Sequence, residues 1–304
     1  MKLSVIICTH NPRADYFART LAALAAQSLD RASWELLIID NCSAQPVAGR
    51  FDLAWHPAAR LVREEQLGLT PARLRGIREA GGDVMVFVDD DNVLDPGYLE
   101  TARRIAEQRP WLGAWSGQCR PEFEVPPAEW TRRYWGNLCI REFDAEKWSN
   151  LPRLAETMPA GAGLCVRSLV ARHYLALHDE GRRRFQLDRT GDALLSGGDN
   201  DLAACACDVG LGMGLVPELG LIHIIPPDRL TEDYLARLAE GIHFSGALLD
   251  AEWGHSRAAR GLIGRLVDWL RLLRVSGPHR TILRAVHTGE RRAARVLAAT
   301  GEGE

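Results

Sequence analysis

Three consecutive carboxylates, Asp89, Asp90 and Asp91, close the stretch VMVFVDDDN at residues 84–92. Adjacent like charges repel, and a divalent cation offsets that repulsion: Mg2+ or Mn2+ takes one or two Asp oxygens and fills its other positions with phosphate and water. A further acid, Asp40, ends the run WELLIID at residues 34–40. Later, SGGDNDLA at residues 196–203 places Asp199 and Asp201 just ahead of an apolar segment, where either could cap a helix. His223, in LIHIIPPDRL, follows a short apolar strand. A lone histidine is more often structural, but neutral imidazole also accepts Mn2+ readily.

The elements that must position these groups are legible as apolar runs. SVIIC (4–8), WELLIID (34–40), RLVRE (60–64) and DVMVFVD (83–89) lack polar alternation, the pattern of strands covered on both faces in a parallel sheet. Between them, RADYFARTLAALAAQS puts Phe17, Leu21 and Leu24 on one helical face. GLTPARLRGIREAGG reads as a helix capped by Thr70 with Pro71 first, and LDPGYLETARRIAEQ as one capped by Asp95 with Pro96 first. A doubly wound α/β sheet follows. Ligands of such sheets lie beyond the carboxyl ends of the strands near the topological switch point, so Asp40 and the acidic triplet are expected in one crevice. Residues 115–160 read as irregular, with Trp115, Trp130, Trp135 and Trp148 either packing a surface excursion or offering aromatic planes to sugar rings or apolar acceptors.

Composition narrows the class. With 304 residues, 46% hydrophobic and 25% charged, the chain has material for a sizeable core. A net charge of -3 points to no nucleic-acid partner. Seven cysteines, an odd number in mostly apolar surroundings, read as reduced thiols of a cytoplasmic protein. The first apolar run stops at His10-Asn11 without a cleavage site, as a buried strand does and a signal peptide does not. Glycines, Pro217 and Glu218 interrupt residues 209–227, which favours a strand over a membrane span. Residues 255–304 carry a formal charge of +6. Within them LIGRLVDWLRLLRV (262–275) has one apolar and one arginine-rich face, a helix for docking on the protein itself or a dimer partner, or for resting on anionic lipid at the inner face of the cell membrane.

SVIICTHN, LLIIDN, LGLTPARLRGI, VFVDDDN and GGDNDLA occur in the order found in family 2 glycosyltransferases of the GT-A fold, and residues 1–235 resemble that family as a set. The resemblance implies a Rossmann-like, mostly parallel sheet flanked by helices, with residues 1–115 as nucleotide-binding half, 116–250 as acceptor-binding half and 251–304 as a helical extension. It implies inverting, metal-dependent sugar transfer from a nucleotide-sugar donor, a UDP-sugar by family frequency, to a saccharide, lipid-linked or small-molecule acceptor. Carried over, Thr9, Asn11 and Asp40 contact the nucleotide. Asp89 and Asp91 form the Asp-x-Asp pair that binds Mn2+ or Mg2+, with His223 as third ligand, and Asp90 faces the ribose or sugar. Arg73 is placed near the base or diphosphate, and Gly161 and Gly163 in a small-residue segment lining the acceptor pocket. Family members often read Glu-Asp where this chain has Gly198-Asp199, so Asp199 is the expected general base and Asp201 its fallback.

Two other readings fit part of the pattern. A metal-dependent nucleotidyltransferase would use similar acids, but SVIICTHNPR lacks the glycine-rich loop that usually holds a triphosphate. A sugar-nucleotide-binding protein without catalysis has Gly198 as its only support. No G-x-G-x-x-G follows the first strand, which disfavours a dinucleotide-binding dehydrogenase.

Overall fold

Continuous apolar runs form the parallel half of one sheet. The computed structural model describes residues 1–152, 154–185, 187–191, 193–255 and 271–300. In chain order the elements are β1 (Leu3–Thr9), α1 (Ala14–Ala25), β2 (Trp34–Asn41), β3 (Ala59–Glu64), α2 (Leu69–Glu79), β4 (Val84–Val88), β5 (Asn92–Leu94) and α3 (Tyr98–Gln108). They continue with β6 (Leu112–Phe123), β7 (Lys147–Ser149), β8 (Cys165–Arg167), α4 (Ser168–Asp179), α5 (Gly198–Asp208), β9 (Gly212–Ile225), α6 (Glu232–Glu252) and α7 (Gly277–Ala299). The sheet order is β3-β2-β1-β4-β8-β6-β9-β5, with β7 on β9. β3, β2, β1 and β4 run parallel, whereas β8 is antiparallel to β4 and β6, and β5 and β7 are antiparallel to β9. Every residue of β2 and β4 is buried. Each large apolar side chain so buried contributes about 1.5–3 kcal/mol, which is why these runs commit to the sheet.

The chain divides into two units. The first comprises Met1–Glu122, Cys139–Arg182 and Asp199–Ile225 and holds the sheet; the second comprises Phe123–Leu138, Arg183–Gly198 and Pro226–Glu304. Within the second unit α7 packs along α6. Gly289 makes that approach close: a Cβ there would lie 2.3 Å from the Glu240 carbonyl oxygen. The amphipathic segment 262–275 lies outside the described residues up to position 270. No described helix is long and apolar enough to cross a membrane.

Local details depart from the pattern-based reading. α2 begins at Leu69 rather than after Thr70, since the Asn41 side chain accepts from the Gly68 N–H at 2.8 Å and donates to the Gln66 carbonyl at 2.7 Å, fixing the turn that starts the helix. α3 begins at Tyr98 after Gly97, because the Asp95 carboxylate is taken by Arg120 and caps nothing. Residues 112–123 are strand rather than irregular, and Trp115 on that strand is fully buried. In the second unit Trp130 packs with Tyr134 and His279, and Trp135 with Phe123. Trp148 alone of the four remains half exposed, beside Trp111.

Candidate active site

Strand order reverses between β1 and β4, since β1 leads through α1 to β2 on one side while β4 joins it on the other. That is the switch point at which an open α/β sheet leaves a crevice beyond its strand tips. The two tips are joined there: the Thr9 hydroxyl at the end of β1 donates to Asp90 Oδ2, just past β4. Thr9 is buried, and residues 81 positions apart in the chain meet only through the β1–β4 register.

Asp89, Asp91 and Asn92 form a turn held by its own side chains. Asn92 N–H donates to the Asp89 carbonyl at 3.1 Å, the Asp89 N–H to Asn92 Oδ1 at 3.3 Å, and Asn92 Nδ2 to Asp91 Oδ1 at 3.0 Å. Antiparallel pairing sets Asn92 of β5 opposite His223 of β9, which brings His223 Nε2 within 3.3 Å of Asp91 Oδ2. Both side chains are buried. The structure thus brings two of the three expected ligands together. Among the described residues no three His, Cys, Asp or Glu side chains converge on one metal-sized point. A buried carboxylate with an imidazole beside it still fits a divalent ion that draws its other ligands from phosphate and water.

Asp40 at the end of β2 is 1% exposed and accepts from Ser43 N–H at 3.2 Å, Val47 N–H at 3.0 Å and Arg63 Nη1 at 2.9 Å. Burial by itself raises its pKa, but the bonds from Ser43, Val47 and Arg63 outweigh it and hold the carboxyl below the usual carboxylate range. Asp40 therefore organises the loop after β2. Asn11, at a positive φ of 51°, reaches the same loop, with its N–H on Ser43 Oγ at 2.9 Å and its Oδ1 on the Ala44 N–H at 2.8 Å. Arg63 was not singled out from the sequence; it sits opposite Asp40 in the β2–β3 register, and register leaves no local signal.

Asp199 comes from the first turn of α5 and is partly exposed. Its Oδ2 accepts from the Gly161 N–H at 2.7 Å and its Oδ1 from the Asn200 N–H at 3.0 Å. The loop carrying Gly161 lies at the β4 tip, since Phe87 N–H donates to the Leu164 carbonyl at 2.8 Å. A Cβ on Gly161 would stand 2.9 Å from Asp199 Oδ2 and 3.1 Å from Arg73 Nη2, so glycine lets both charged groups close over that backbone. Arg73, on α2, is buried. Gly163, at φ 70°, packs into the interior instead, its carbonyl accepting from the Tyr98 hydroxyl at 2.5 Å. Asp201 is 1% exposed, against the partial exposure of Asp199. Access to a substrate hydroxyl accordingly favours Asp199 of the two.

Comparison with known proteins gives this arrangement a lineage. The family model described as "Glycosyl transferase family 2" matches residues 4–157. The glycosyltransferase YwdF of Bacillus subtilis is 30% identical over 107 residues, which is 35% of this chain and 39% of that protein. The match thus spans well under half of that relative's length. Among solved structures, the mannosyltransferase PcManGT from Pyrobaculum calidifontis, in complex with GDP-Man and Mn2+, has a TM-score of 0.55 at 20% identity, covering all of this chain and 76% of that one. S. aureus TarS 1–349, in complex with UDP-GlcNAc, has a TM-score of 0.54 at 15% identity, covering 99% of this chain and 93% of that one. These two share the mixed sheet flanked by helices, so the GT-A architecture is common to all three folds. Because the matched residues 4–157 make up half of the chain and include the β1, β2 and β4 tips that build the crevice, the chain belongs to glycosyl transferase family 2.

Proposed function

We propose that the chain transfers a sugar from a nucleoside diphosphate donor, a UDP-sugar in the favoured case, to an acceptor hydroxyl with inversion at the anomeric carbon. The acceptor is a saccharide, a lipid-linked or a small-molecule hydroxyl compound. The observation that carries this reading is Asp199, partly exposed and oriented by the Gly161 N–H at 2.7 Å. The bonds from the Gly161 and Asn200 N–H groups leave carboxylate lone pairs for an incoming hydroxyl.

In this reading the acceptor oxygen attacks the anomeric carbon while the bond to the diphosphate oxygen breaks, and Asp199 takes the acceptor proton from the face opposite the leaving group. Arg73, beside Gly161, directs positive charge toward the departing diphosphate. Asp89, Asp91 and His223 would hold Mn2+ or Mg2+, whose chemistry there is further counter-charge for that leaving group. Thr9 and Asn11 line the nucleoside side beside a loop that Asp40 holds in place, Asp90 faces the ribose or sugar, and Gly161 shapes the backbone next to the acceptor while Gly163 braces that segment from the interior. The PcManGT complex with GDP-Man and Mn2+ and the TarS complex with UDP-GlcNAc support the donor class by likeness of fold. Asp199→Asn should lower transfer by about 10²–10⁴-fold with donor affinity by calorimetry unchanged. Turnover at the parent rate would overturn the assignment of the base.

A further inference from the structure

Gly198 opens α5 without a side chain, yet the space a side chain would enter is filled by a carboxylate. A Cβ built on Gly198 would lie 2.1 Å from Oδ2, 2.5 Å from Cγ and 2.9 Å from Oδ1 of Asp188. The Gly198 N–H donates to the same Oδ1 at 3.1 Å. Asp188 is 3% exposed and reaches this point from ten residues earlier in the chain. Its neighbour Leu187 packs with Phe244, Leu248 and Leu249 of α6, so the segment that carries the carboxylate is anchored in a core of its own.

Burying a carboxylate is unfavourable unless donors meet it, and the first turn of a helix supplies N–H groups and a positive dipole end. Asp188 and Gly198 therefore require one another: the acid needs the helix start, and no side chain larger than hydrogen fits at 198 while the acid is there. We propose that Asp188 is a positioning residue. Its carboxylate stands where the side chain of residue 198 would project, supplies through space the acid that a Glu-Asp pair would carry in sequence, and fixes the first turn of α5 from which Asp199 emerges. The proposal rests on the reading of Asp199 as the base.

The test is an exchange of place: Asp188→Gly, Gly198→Glu and the double variant, each followed by thermal melting without ligand. Turnover is read as nucleoside diphosphate release from UDP-GlcNAc, UDP-glucose or GDP-mannose with Mn2+. Asp188→Gly should lower the melting temperature and reduce kcat by about 100-fold with little change in donor KM, the signature of a misplaced reacting group rather than of lost binding. Gly198→Glu alone should melt earlier still, because its Cβ meets the Asp188 carboxylate. The double variant should recover both melting temperature and kcat to within about threefold of the parent, the non-additivity expected of groups that share one space. A double variant no better than the worse single variant would overturn the proposal, as would a Gly198→Glu enzyme as stable and active as the parent. Failure of the base reading shows separately, as turnover retained by Asp199→Asn.

Discussion

The number of lone pairs the protein already occupies separates the acids of this site. Asp40 has both oxygens engaged by Ser43, Val47 and Arg63, whereas Asp199 accepts one backbone N–H on each oxygen, from Gly161 and Asn200. Asp40→Asn removes a charge-assisted bond from Arg63, itself partly solvated, and should cost about 1–3 kcal/mol in urea unfolding. His56 makes a second residue-scale prediction. It is 3% exposed, its ring centroid 4.1 Å from that of Trp34, and the Ala58 N–H donates to its Nδ1 at 3.2 Å. Burial, with the Arg31 charge adding to it, lowers its pKa below the ordinary 6.5 and favours the neutral ring. A folded-state pKa below the unfolded one contributes stability that is present above about pH 6.5 and lost as pH falls through the folded value. Melting temperatures of the parent should therefore drop below pH 6.5 more steeply than those of His56→Phe; parallel curves would refute this.

Helix–helix and helix–sheet contacts decide the sign of changes that local propensity misjudges. Gly289 sits within α7, where alanine is preferred over glycine by about 1 kcal/mol in an isolated helix. Here the added methyl meets the Glu240 carbonyl of α6 at 2.3 Å, a backbone atom that cannot swing aside. Gly289→Ala should thus destabilise by about 1–3 kcal/mol, the usual cost of overpacking, seen as a lower urea midpoint at unchanged slope. Tertiary contacts likewise set where helices start. The sequence pattern starts these two helices at Pro71 and Pro96, whereas they begin at Leu69 and Tyr98, because Asn41 ties down Gly68 and Arg120 withdraws the Asp95 carboxylate. Both helix starts moved by a few residues, because capping is a competition among partners that the local pattern does not name.

For the whole molecule, donor binding should appear as added stability. A sugar nucleotide at about 100 times its Kd raises the free energy of unfolding by about 2.7 kcal/mol, so a panel screened by thermal melting with and without Mn2+ identifies the donor. Asp89→Ala/Asp91→Ala should abolish the part of that shift that depends on Mn2+, and an unaltered shift would remove these residues from the metal site. The sequence alone determined the parallel strands, the helices between them and the family, because burial on both faces of β1, β2 and β4 is written as uninterrupted apolar runs. Which charged group meets which was decided only by tertiary structure. Thr9 and Asp90 are 81 residues apart and Gly161 and Asp199 are 38 apart, and Asp188 enters the space of Gly198 from a separate segment. Such pairs depend on strand register and loop path, which follow from the packing of the whole chain, so no local pattern of residue types encodes them.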